Sequence, residues 1–110
     1  MSNESAVIKI ENLRFYYEND KVFVTEHAAE RFRQRGIKAK DIRAVINNGE
    51  IIEQYPDDFP FPSCLITGYD EKGSCIHVCM SDEGSCARII TAYYPDKKLW
   101  SEDFRQRLEK

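Results

Sequence analysis

No stretch of this chain approaches the roughly 20 consecutive apolar residues that a membrane-spanning helix needs, so the sequence predicts no span. The segment MSNESAVIKIENL lacks the basic start and apolar stretch of a secretory signal, which makes the cytoplasm the expected location. Cys64, Cys75, Cys79 and Cys86 are accordingly read as reduced thiols, and the triplet Asn3-Glu4-Ser5 as an accidental glycosylation match. No phosphate-binding glycine loop, dinucleotide fingerprint, nucleophile elbow or His-Glu-x-x-His motif occurs. Positive charge is not in excess either: 16 Lys and Arg face 19 Asp and Glu, for a net charge of −3. That argues against strong non-specific nucleic-acid binding, which depends on neutralising phosphates. Repeats, low-complexity tracts and linkers are missing, so 110 residues read as one domain, 1–110. Such a domain buries roughly two-thirds of its unfolded surface.

What is present is an ordinary globular balance, 42% hydrophobic and 32% charged. The charge is unevenly spread. Arg31, Arg33, Arg35, Lys38, Lys40 and Arg43 crowd one segment, and Glu50, Glu53, Asp57 and Asp58 the next. Ala6, Ile10, Leu13 and Tyr17 recur at helical spacing, which predicts a helix over 5–18, although the alternation in VIKI also suits a strand. Thr25 is placed to cap a second helix that ends at Arg35-Gly36. A third covers KAKDIRAVINN, with Ile42, Val45 and Ile46 as its apolar face and Gly49 as its stop.

From Glu50 the character changes. EIIEQY, CLITGYD, SCIHVCM and ARIITAYY are short, β-branched and aromatic, and the last three are joined by turns short enough for an antiparallel meander. The three prolines of PDDFPFPS predict an extended, exposed loop between the first two strands. KKLWSEDFRQRLEK reads as a closing helix anchored by Leu99, Phe104 and Leu108. The expected fold class is α+β, with N-terminal helices packed on one face of a four-stranded antiparallel sheet and a C-terminal helix. The other sheet face would stay open to a ligand.

The chemistry-bearing residues fall on these elements. His27, Arg31 and Arg35 lie within an arc of about 80° on one helix, a stripe that can grip a phosphate or can simply be solvated. Alternation puts Cys75, His77 and Cys79 on one strand face, and Ile89, Thr91 and Tyr93 together on the next strand. Histidine, tyrosine and arginine are a set that metal-free RNA cleavage can use: a base for the 2′-hydroxyl, an acid for the leaving oxygen, a cation for the phosphorane. The bland reading of each is a hydrogen bond or ion pair within the fold. Cys75-x-His77-x-Cys79 lacks the turn and second ligand pair of a structural zinc knuckle, so no metal is expected.

HAAERFRQRGI, NNGEIIEQYPDDFPFPS, IHVCM and IITAYYPDKKLW, in that order, resemble a small bacterial family of unknown function marked by a His-Ala-x-x-Arg helix. The resemblance runs from about Thr25 onward. That family is thought to be related to the RelE, BrnT and motility-quorum-sensing-regulator toxins, small α+β ribonucleases of toxin–antitoxin pairs. The resemblance therefore implies a RelE-like fold and a metal-independent endoribonuclease acting on mRNA, without a cofactor. It also implies an antitoxin partner, of the zinc-finger type often encoded beside such genes. It favours Tyr93 over Tyr94 in the site; where the family is often apolar or has proline, this chain has Cys75 and Cys79, which argues against a family-wide thiol role. The expected catalytic residues are His27, Arg31, His77 and Tyr93, with Arg35, Lys38 and Lys97 contacting RNA. The alternative expectation is a non-catalytic interaction module of the same fold, for which the acidic composition and the YPDDFPFPS loop speak.

Overall fold

The computed structural model describes residues 7–108. Three helices, α1 (Ile10–Glu18), α2 (Glu26–Arg35) and α3 (Ala39–Asn48), accompany five strands. The strands are β1 (Val22–Val24), β2 (Glu50–Tyr55), β3 (Ser63–Tyr69), β4 (Cys75–Asp82) and β5 (Ala87–Tyr93), ordered β1-β5-β4-β3-β2 across one sheet. The expected α+β class holds, and so does the antiparallel β3-β4-β5 meander. Two corrections follow. The sheet has five strands rather than four, and β1 joins β5 in parallel, so it is mixed. Three residues were too few to show a period in the sequence, and they form a strand because β5 offers them a free edge.

Helix boundaries follow local chemistry. Leu13 and Tyr16 bury one side of α1, while Arg14 hydrogen-bonds the Ile46 and Gly49 carbonyls at the end of α3, tying the two helices. Of the predicted 5–18 helix, residues 5 and 6 lie outside the described residues, as does the Asn3-Glu4-Ser5 triplet; 7–9 are not helical. The Thr25 hydroxyl accepts from the Ala28 N–H as expected, and Gly36 ends α2 in the left-handed conformation at φ 73°. Ile42, Val45 and Ile46 are all buried beneath α3.

The sheet separates two layers. Cys64 and Ile66 of β3, Ile76, Val78 and Met80 of β4, and Ile89 and Ala92 of β5 join Leu13, Phe32, Ile42 and Ile46 in the main core. The register pairs Ile89 with Met80, and Thr91 with Cys79. Ile90 is thus an extra residue that flips the alternation, so Ile89 faces the helices and does not share a face with Thr91 and Tyr93. A second irregularity between Ile51 and Glu53 puts Glu53 opposite Leu65 and Tyr55 opposite Ser63.

The closing helix is not formed. After Pro95 the chain makes one turn on the Asp96 carbonyl and then a small hairpin in which Trp100 bridges Arg107. Asp96 accepts from the Lys98 N–H, Asp103 from the Arg105 N–H, and Ser101 from the Gln106 N–H; Phe104 sits at φ 62°. Short polar side chains here satisfy the backbone locally and out-compete the helix. Leu99 and Leu108, expected as anchors, are exposed, and Trp100 is the buried residue at 4%.

Candidate functional site

The hairpin 99–108 lies over the sheet face turned away from the helices, so the face expected to be open is covered. Beneath it are Ser63, Leu65 and Thr67 of β3, Cys79 and His77 of β4, and Tyr93 of β5, with Glu53 and Tyr55 from β2 at the border. His77 is the centre. Its side chain is wholly buried, with Trp100 edge-on at 4.5 Å between ring centroids and Tyr93 at 5.4 Å.

Its protonation state follows from its partners. Nε2 stands 2.8 Å from the Phe104 carbonyl, which can only accept, so Nε2 carries the hydrogen and donates. Nδ1 is then the lone-pair nitrogen, facing the Tyr93 hydroxyl at 3.4 Å. Burial pushes the imidazole below its ordinary value, more strongly than the Phe104 hydrogen bond and the Glu53 charge pull it back up. Burial likewise raises the Tyr93 phenol and the Cys79 thiol. At neutral pH the face therefore holds a neutral imidazole beside a protonated phenol.

Charge enters from the border. Burial works against the Glu53 carboxylate, but hydrogen bonds from Arg107 and Tyr55 outweigh it and hold its pKa below the usual range. Arg107 grips Glu53 with two donors, at 2.9 and 3.2 Å, and lies 4.7 Å over the Trp100 ring. Arg105 forms an ion pair with Glu50, at the start of the same strand as Glu53. Glu50 and Glu53 are thus paired with the C-terminal hairpin and not with Arg31. Burial raises the Tyr55 phenol to about 12, with Glu53 adding to the effect. Among the described residues no group of three His, Cys, Asp or Glu is arranged to hold a metal ion.

Of the residues expected from sequence, His77 and Tyr93 are brought together. His27 and Arg31 are not with them: α2 buries Ala28 and Phe32 in the helix-side core, and the sheet stands between. Both are exposed, and among the described residues neither makes a side-chain hydrogen bond or ion pair. Arg35, at the far end of the stripe, bends round the free upper edge of β5, donating to the Ala92 carbonyl at 2.7 Å and lying 3.4 Å from the Thr91 hydroxyl. Lys38 is on the helix side, at the start of α3, and Lys97 is exposed in the turn before Trp100. Glu53, Trp100 and Arg107 were missed. Only the bulge in β2 and the fold-back of the C-terminal hairpin bring them to His77, and neither leaves a periodic signal.

No helix among the described residues is long and apolar enough to cross a membrane. No curated protein and no solved structure matches the chain. A family model, a domain of unknown function (DUF4258), matches residues 24–94, from the end of β1 through β5, and so takes in both His27 and His77. The chain belongs to the DUF4258 family.

Proposed function

We propose that the protein is a toxin-like endoribonuclease that works without a metal, from the sheet face of His77 and Tyr93, and that the covered arrangement is its closed form. The observation that carries the reading is the His77–Tyr93 pair, whose environments leave one group a base and the other an acid at the same pH. With the hairpin lifted, His77 Nδ1 takes the proton of a ribose 2′-hydroxyl as its oxygen attacks the adjacent phosphorus. The P–O5′ bond breaks, the Tyr93 hydroxyl gives its proton to the departing O5′, and the products are a 2′,3′-cyclic phosphate and a 5′-hydroxyl. The proton held on His77 then returns to the tyrosinate, so the pair is restored. Arg35, which reaches round the edge of β5 to Thr91 and Ala92 and stays with the sheet when the hairpin lifts, supplies the cation for the phosphorane in place of the Arg31 expected from sequence. Lys97, exposed in the turn before the hairpin, would hold a flanking phosphate. A partner protein of the antitoxin type would act by keeping the hairpin shut.

The test is digestion of a defined RNA in the presence of a chelator, with the product ends identified. Trp100→Ala, which loosens the hairpin, is expected to cleave faster than the wild type; Tyr93→Phe, which keeps the ring and removes the proton donor, is expected to lose about 10²–10⁴-fold. RNA left intact by both the wild type and folded Trp100→Ala defeats the nuclease reading. One observation favours a second reading, a binding module without chemistry: His77 is sealed, while Phe59 in the proline loop is 94% exposed. That reading predicts intact RNA throughout, and no slowing of growth when the protein is expressed.

A further inference from the structure

A large concavity lies on the opposite side of the sheet from His77. A groove of about 920 Å³ runs between the end of α1, the outer strand β1, α2 and the start of α3. Its floor is apolar, with Val22, Val24, Phe32, Ile37, Ile42 and Ile89, and Val24 is 43% exposed there. Arg33, Lys38, Lys40 and Arg43 line it against one carboxylate, Asp20, in a chain whose net charge is −3. Arg33 and Lys40 have partners, Glu30 and Glu71, but both pairs are solvent-exposed and exchange easily. Arg43 lies over the Tyr17 ring, 5.3 Å from its centroid. An occupant must bring apolar side chains together with carboxylates.

The chain carries such a segment. In the loop between β2 and β3, YPDDFPFPS, Asp57 and Asp58 precede Phe59 at 94% and Phe61 at 39% exposure. The loop is not extended as expected from sequence: it turns over 55–58 and bends over 59–61, and its three prolines stiffen that shape, so little entropy is lost when it is captured. It cannot reach the groove of its own molecule, because the strand order puts β1 and β2 at opposite edges of the sheet. We infer that the groove is a docking site for the Tyr55–Ser63 loop of a second copy of this chain, the contact being head-to-tail, with Phe59 and Phe61 on the apolar floor and Asp57 against the basic rim.

Size sets the strength. Two phenylalanines bury roughly 150–250 Å² each, and with the groove surface they cover the total stays below the roughly 1,200 Å² of a stable interface. The association is weak, with Kd on the order of 0.1 mM, and because the two surfaces differ it propagates into rings or chains instead of stopping at a dimer. The inference does not rest on the nuclease reading.

Sedimentation velocity up to about 1 mM protein tests it. The wild type is expected to gain mass continuously with concentration. Phe59→Ser (loop disabled) and Lys38→Glu with Lys40→Glu (groove disabled) are both exposed changes that keep the fold, and each is expected to stay monomeric. Mixed together they should form a dimer and nothing larger, since one good groove meets one good loop. A synthetic YPDDFPFPS peptide should dissolve wild-type assemblies. A wild type monomeric throughout, a self-association that the Phe59→Ser variant retains, or a mixture that forms no dimer overturns the inference; so does a groove that binds a fatty-acid probe but not the peptide.

Discussion

Replacing Trp100 by alanine should uncover His77. The indole is 4% exposed, packs edge-on against the imidazole at 4.5 Å, and carries the Arg107 guanidinium at 4.7 Å. Truncating a buried tryptophan costs about 3–5 kcal/mol in a core, a range that already includes the aromatic and cation–π contacts. Here the figure belongs near about 3 kcal/mol, because the hairpin can swing away and let water fill the space. A domain of this size is stable by about 5–15 kcal/mol, so the variant stays folded on its helix-side core. Chemical denaturation followed by circular dichroism reads the loss; fluorescence does not, since the change removes the chain's single tryptophan. The second readout is the NMR titration of His77. In the wild type burial holds its pKa below 6.5, so the unfolded chain binds the proton first. The stability this gives is present above pH 6.5 and is lost as the pH falls through the folded value. Opening the hairpin should raise the His77 pKa toward the ordinary value and flatten that acid limb. A variant within about 0.5 kcal/mol of wild type, with the His77 titration unmoved, would refute the claim that the hairpin seals this face.

Two further outcomes test the packing of the sheet. At Gly68 a methyl group would stand 2.8 Å from the Val45 carbonyl oxygen and 2.9 Å from Asn48 Oδ1, and Asn48 bonds both the N–H and the carbonyl of Tyr69. Gly68→Ala should push α3 off β3 at a cost of about 1–3 kcal/mol, visible as a lower denaturation midpoint at unchanged slope; an unchanged midpoint would mean that the helix does not approach so closely. Burial raises the Cys64 thiol to about 12, so an alkylating reagent at neutral pH should modify it only after unfolding. Labelling of native Cys64 as fast as Cys75 would contradict its burial.

The legible parts of the fold were those whose reasons are local. Thr25 and Gly36 bound α2 because a cap and a left-handed stop are decided within four residues. The four strands after Glu50 showed themselves by β-branching and turn chemistry. The C-terminal segment went astray because its apolar spacing suits a helix, while Asp96, Ser101 and Asp103 satisfy the backbone differently once Trp100 has a place to bury. Half of the expected site was legible in the same sense. His77 and Tyr93 are opposite each other in the β4–β5 register, as alternation on neighbouring strands allowed. Glu53 and Arg107, 54 residues apart, were not.

From the amino-acid order alone came the three helices, strands β2 to β5, the caps of α2, the α+β class and the two strand residues at the centre of the candidate face, since each depends on neighbours a few positions away. Tertiary structure decided which side of the sheet each side chain serves. The Ile90 bulge turns Ile89 into the core, the layering parts His27 and Arg31 from His77, and the returning hairpin closes over the imidazole. A one-residue shift of register reverses every side chain beyond it, and pairing between distant strands, which no local pattern encodes, sets that register.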